Sequence, residues 1–255
     1  SLPQIHLGPS NERCREAGVP KITELKVAYS RDGFYWDRTD RHTFIPAERK
    51  AGSWDRGYVQ SVGGLCTIVG DQLWFYHIGF EGNKKKKSTV YEKNGMHANG
   101  STGVAVLRRD GFVSYSAQKE KGTLMTRPVT FTGEYLFVNV NCPNGELKVE
   151  VLDADNKVIQ GFSANDCKPL TVDSTIAQIR WKNKKDLSTL KSQSVRFKFY
   201  LTNGDLYSFW VSPDTEGASN GYNAAGGPGF SGGIDKEGMR AYKKAQDFPN
   251  LLERC

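Results

Sequence analysis

The sequence predicts an all-β protein, and three observations carry that prediction. Apolar residues recur in short alternating runs and never at helical spacing over three turns between Glu24 and Tyr115. Turn dipeptides, Asp-Gly and Asn-Gly, punctuate those runs. One phrase, Tyr-Ser-Arg-Asp-Gly-Phe-Tyr-Trp at 29–36, returns as Arg-Arg-Asp-Gly-Phe-Val-Ser-Tyr at 108–115. Repetition of one hairpin unit is the mark of radial β architectures, because a single blade cannot bury its faces alone. The expected order is the last blades of a β-propeller over residues 1–127, a β-sandwich over 128–213 and a Gly-rich tail over 214–255.

In the first region Leu25, Val27 and Tyr29 alternate along one face, Asp32-Gly33 makes a tight turn, and Phe34 to Arg38 resumes an extended strand. The second copy reads the same way: a strand ending at Arg108, a turn at Asp110-Gly111, and a strand from Phe112. On this reading both copies are outer hairpins of blades, structural turns and not sites. Between them, 57–70 and 72–80 form two further strands joined at Gly70-Asp71.

In the second region Asn144-Gly145 and Asn203-Gly204 each lie between two apolar runs, the strongest short-range hairpin signal in the chain. Val195, Phe197, Phe199 and Leu201 alternate with Arg196, Lys198 and Tyr200, the pattern of a sheet with one buried face. From 214 the sequence is too rich in Gly and Asn to promise a core. A surface-draped or disordered tail with a short helix after Lys236 is expected.

Composition narrows the partners. The net charge of +7 is gathered at Lys84–Lys87 and Lys182–Lys185 and is not interleaved with aromatics, so a nucleic-acid partner is not expected. Apolar runs are far shorter than the ~18 residues a membrane span needs. The five cysteines show neither a Cys-x-x-Cys spacing nor paired histidines, which argues against a metal centre. Cys142 and Cys167 flank a predicted hairpin and are the disulfide candidates, while Cys14 and Cys255, near the ends in polar sequence, are candidates for an interchain bond. Asn99-Gly100-Ser101 is a glycosylation sequon, and two readings stand open for it: an acceptor in use, or a chance occurrence in a chain of 255 residues.

Several motifs in order resemble glycoside hydrolase family 32: Ser30-Arg31-Asp32-Gly33-Phe34-x-Trp36, Gly52-Ser53-Trp54-Asp55-x-Gly57 before a strand, Trp74-Phe75-Tyr76, Leu107 to Ser114, and Glu150 to Asp155. The resemblance spans about residues 24 to 233 and implies the rear of a five-bladed β-propeller followed by a β-sandwich, in a secreted carbohydrate-active protein. Five blades need on the order of 200 residues or more, well beyond what precedes residue 128. The resemblance therefore implies an upstream propeller segment or a second chain of the same precursor. The family's catalytic carboxylates sit in Asn-Asp-Pro, Arg-Asp-Pro and Glu-beside-Cys contexts, and none of these occurs in the sequence. No catalytic residue is carried over, and no cofactor is expected.

The innermost strand of the complete blade should start at Gly57, so Trp54, Asp55, Tyr58 and Gln60 become candidate glycan contacts, with His77 on the next strand. Each has a plainer role open to it: Trp54 in packing, Asp55 in capping a turn, His77 as a buried imidazole bonded to backbone. The insert from Glu81 to Thr102 is long enough to be a lid, a partner contact or a tolerated insertion. A non-catalytic glycan-binding or structural protein on the same scaffold remains the alternative to a hydrolase part.

Overall fold

The computed structural model describes residues 1–17, 19–82 and 97–246. Among them the chain is mostly β, in antiparallel sheets none of which closes into a barrel. It divides into two compact units, one of Ser1–Cys66 with Trp74–Val106 and one of Thr67–Leu73 with Leu107–Cys255. The division falls ahead of the 127/128 boundary read from the sequence, and the segment from 214 belongs to the second unit.

In the first unit β1 (Gln4–Gly8) pairs antiparallel with β2 (Ile22–Leu25), and α1 (Asn11–Ala17) lies between them in sequence. Buried Glu24 on β2 accepts hydrogen bonds from Thr43 Oγ1 at 2.7 Å and from the Arg49 guanidinium, which fastens the 43–49 loop. β3 (Gly57–Val69), β4 (Gln72–Phe80) and β5 (Gly100–Arg108) form a sheet in that order. Along β4 Leu73, Phe75, His77 and Gly79 are buried while Trp74, Tyr76, Ile78 and Phe80 are half-buried, the period of two that the sequence predicts.

The repeated phrase does not fold the same way twice. Around Asp32-Gly33 pairing shrinks to one bridge, Tyr29 to Asp37, and no regular strand forms. The cause is local competition: Asp32 Oδ1 accepts the amides of Phe34 and Tyr35, both at 2.9 Å, and so takes the donors a ladder would use. At the second copy β5 ends and β6 (Tyr115–Ala117) pairs with β12 (Gly204–Ser212) instead of turning back on β5. The expected hairpin is there a passage between two sheets.

The second unit also contains β7 (Gly122–Met125), β8 (Tyr135–Asn141), β9 (Glu146–Leu152), β10 (Asp173–Gln178) and β11 (Arg196–Thr202). One sheet runs β10-β8-β12-β6 and the other β7-β11-β9, and both feed one core. Phe197 and Phe199 of β11 meet the ring of Phe209 on β12 at 5.9 and 5.1 Å between centroids. Buried Trp181 packs edge-on against Phe162 and donates Nε1–H to the Val149 carbonyl at 3.1 Å.

Here the Asn-Gly turns depart from expectation. β8 and β9 lie in different sheets, as do β11 and β12, so Asn144-Gly145 and Asn203-Gly204 each cross from sheet to sheet. The two turns pack together: a Cβ on Gly145 would lie 1.8 Å from the Thr202 carbonyl oxygen, and one on Gly204 would lie 2.6 Å from that of Asn141. Glycine is required at both by close backbone approach.

Three further expectations are corrected. Cys142 and Cys167 are not bonded to each other; both are buried, the Cys142 thiol donates to the Leu170 carbonyl at 3.3 Å, and the Cys167 sulfur accepts the Val149 amide at 3.3 Å. Burial pushes both thiols up, which disfavours the reactive thiolate. Cys14 lies fully buried on α1, out of reach of another chain, and Cys255 falls outside the described residues. The segment from 214 is not draped loosely either, since Ala218, Asn223, Asp235 and Ala241 are all buried and α2 (Met239–Gln246) closes it.

Asp235 holds that segment down. Its Oδ1 accepts the Gly238 and Glu237 amides at 2.9 and 3.0 Å, and its Oδ2 accepts the Ser219 hydroxyl and Arg109 Nη2, both at 3.0 Å. Burial alone would raise the carboxyl pKa, but the backbone donors and the Arg109 charge outweigh it and hold the group below the usual carboxylate range. Arg109 is itself buried, with its guanidinium 5.4 Å from the Phe230 ring centre and 5.6 Å from that of Tyr242. Asp235→Ala leaves this buried arginine with only the more distant Asp110 carboxylate, 3.9 Å from Nε, and should cost about 3 kcal/mol, read as a lower midpoint in denaturant. Because the folded pKa is depressed, the Asp235 contribution is complete above an unfolded value of about 3.9 and is lost as pH falls through the folded one. Asp235→Asn should flatten that acid limb.

Candidate functional site

The first Arg-Asp-Gly-Phe turn builds an open groove. Ser30 Oγ accepts the Gly33 amide at 2.8 Å and donates to Asp32 Oδ1 at 3.1 Å, while Trp36 Nε1–H donates to the Gly33 carbonyl at 3.0 Å. Gly33 sits at φ 79°, a backbone region that L side chains rarely adopt. These bonds occupy the polar edges of the turn and leave its aromatic faces outside. Phe34 is 86% exposed, Tyr35 83%, Trp36 47% and Tyr29 38%. Tyr29, Tyr35 and Trp36 line a groove of about 550 Å³ with Arg31, Asp32 and Asp37. Contiguous exposed aromatics on a folded surface mark an interaction site.

The groove's carboxylates are hydrogen-bond acceptors. Backbone amides of Tyr35 and Phe34 hold Asp32 below the usual carboxylate range, and the Thr39 hydroxyl and amide do the same for Asp37. A general acid for glycoside cleavage needs the opposite shift, a carboxyl kept protonated near neutral pH. The arrangement therefore suits acceptance of hydrogen bonds from a ligand, not proton donation to it.

The site residues expected from the sequence lie in the same unit and separate into two sets. Trp54 lies across the sheet, with its ring where a Cβ on Gly79 or Gly103 would be, 2.7 and 2.4 Å away, and it remains 39% exposed. The His77 ring lies 5.6 Å from it, and Asp55, which accepts the Ser53 hydroxyl at 3.0 Å, adjoins Gly79. Burial lowers the His77 pKa against the opposing pull of the Phe75 backbone and of Asp55, so the ring is neutral at neutral pH. Among the described residues His77 Nδ1 is buried without a hydrogen-bond partner.

Tyr58 belongs to the other set. It meets Phe80, on the opposite side of β4 from His77, at 6.0 Å, and also His97 at 4.6 Å and His6 at 6.2 Å. Gln60 follows two residues on along β3 and is half-buried. Asn99 is exposed in the turn before β5, at φ 55°, with Nδ2 donating to Glu81 Oε2 at 2.9 Å. Most of the 81–102 insert, including Lys84–Lys87, lies outside the described residues.

The sequence reading passed over the groove because it took 29–36 for a paired hairpin. The available signal was Phe34-Tyr35-Trp36, three adjacent aromatics that a two-faced strand cannot all bury. Among the described residues no group of three or more His, Cys, Asp or Glu is placed to hold a metal ion, and no helix is long and apolar enough to cross a membrane. No protein-family model matches the chain, and neither a curated protein nor a solved structure does. The functional reading thus rests on the geometry and the motifs.

The Trp54 platform makes a test of its own. Gly103→Ala puts a methyl group into the ring and should displace Trp54 from the sheet at a cost of about 1–3 kcal/mol. The change would be read from the Trp54 indole resonance and the thermal midpoint, and an unmoved indole would refute the packing.

Proposed function

We propose that this chain is the glycan-binding rear part of a secreted carbohydrate-active protein. The observation that carries the reading is the groove at the first Arg-Asp-Gly-Phe turn, where Tyr29, Tyr35 and Trp36 stand beside two carboxylates held ionised. Aromatic faces stack on the apolar faces of sugar rings, and fixed carboxylates accept their hydroxyls. The exposed Trp54, with Asp55 beside it, is a further stacking surface of the same unit.

The motif resemblance to glycoside hydrolase family 32 supplies the finer architecture: the first unit as the end of a five-bladed propeller, the second as a β-sandwich. Hydrolytic carboxylates then belong to an upstream segment, and this chain contributes ligand contacts. An extracellular setting makes the exposed Asn99-Gly100-Ser101 a glycosylation acceptor.

Calorimetric titration with neutral oligosaccharides tests the reading. Trp36→Ala should weaken binding by about 1–2 kcal/mol, roughly tenfold, with only a small drop in thermal midpoint, because about half of the residue faces solvent and its indole bonds only within its own turn. Equal affinity in wild type and Trp36→Ala would exclude the groove as the glycan site.

A further inference from the structure

The second unit holds an open groove of about 550 Å³ at the end of its four-stranded sheet, where β6 and the two Asn-Gly turns meet. Ser116, Gln118, Asn141, Asn144, Asn203 and Asp205 are among the residues that line it. We propose that this groove is a second glycan site, selective for neutral oligosaccharides. The proposal does not depend on the first groove, which lies in the other unit.

The chemistry of the lining points to hydroxyl recognition. Carboxamides both donate and accept, as sugar hydroxyls do, so a wall of amides can match a hydroxyl array whichever way each proton points. Asp205 is the one ionisable residue among those lining the groove. A uronate or sulfated ligand would meet a like charge there.

The groove is also preformed, which lowers the ordering cost of binding. Asp205 Oδ1 accepts the Ser116 hydroxyl and, at 3.2 Å, that of Ser114. The Asn203 amide donates to the Gln118 carbonyl at 2.8 Å, and Asn203 Nδ2 donates to the Asn144 carbonyl at 3.5 Å. Gly145 and Gly204 leave no space between the turns. Behind β6 the second Arg-Asp-Gly-Phe turn is pinned by Arg108, whose Nε donates to Asn139 Oδ1 at 2.7 Å, Nη2 to the Val140 carbonyl at 3.0 Å and Nη1 to Asp173. Each copy of the repeated phrase thus leads into the wall of a groove in its own unit.

The test uses the full chain, with side-chain amide and indole resonances followed by NMR. The probes are neutral gluco-, xylo-, manno- and fructo-tetrasaccharides, with a tetragalacturonate as the acidic contrast. Gln118 and Asn144 amide signals should move with at least one neutral probe. Binding read at the remaining Asn141 and Asn203 side-chain amides should weaken about tenfold in Gln118→Ala/Asn144→Ala and persist in Trp36→Ala. Both substituted side chains are exposed, so the double variant should melt as the wild type does. Amides that stay still while the Trp36 indole moves would overturn this site and leave the first standing; the reverse would leave this site and overturn the first. No movement anywhere overturns both, and amides that respond more strongly to the galacturonate overturn the neutral selectivity.

Discussion

Two sheets sharing one core is the constraint on which the second unit depends. β8 and β9 are consecutive in the chain yet bury Val138 and Val149 from opposite sides of that core, as β11 and β12 do with Phe199 and Leu206. The chain must therefore cross the core at each Asn-Gly turn. The crossings converge, glycine becomes obligatory where backbone meets backbone, and a polar trough forms at that end of the sheet. The amide groove follows from the way the core is closed.

Much of the local structure was legible in the sequence. The alternation in β4 and β11 is present in the folded chain, because a side chain on a strand has only two faces to choose between. Pairing was not legible. Asn-Gly tells the chain to turn, but whether the next strand lies beside its predecessor or across the core from it depends on which apolar faces must meet, a property of the whole unit. The same limit explains the second Arg-Asp-Gly-Phe copy, where β6 finds β12 in preference to β5.

Charge was the other thing composition concealed. The Gly- and Asn-rich stretch from 214 has little apolar surface, yet Asp235 gathers backbone and hydroxyl donors and the Arg109 guanidinium, and small residues such as Ala218 and Ala241 fit close. A polar network centred on Asp235 does there what hydrophobic periodicity does elsewhere. At the first turn the balance is reversed: polar edges are satisfied internally by Ser30 and Asp32, so the aromatics face water. Of the residues expected to form a site, Trp54, Asp55 and His77 come together because Gly79 and Gly103 give Trp54 room to lie across the sheet, while Tyr58, at φ 49°, turns to Phe80 and His97 instead.

The partnership of Arg109 with Asp235 also sets a timetable. A ribosome emits the arginine long before its counter-charge, and at about 5–20 residues per second the gap lasts on the order of ten seconds. β6, made at 115–117, likewise waits for 204–206. Through that interval the Arg109–Asp235 pair cannot form and β6 keeps an unpaired edge, open to pairing with other chains.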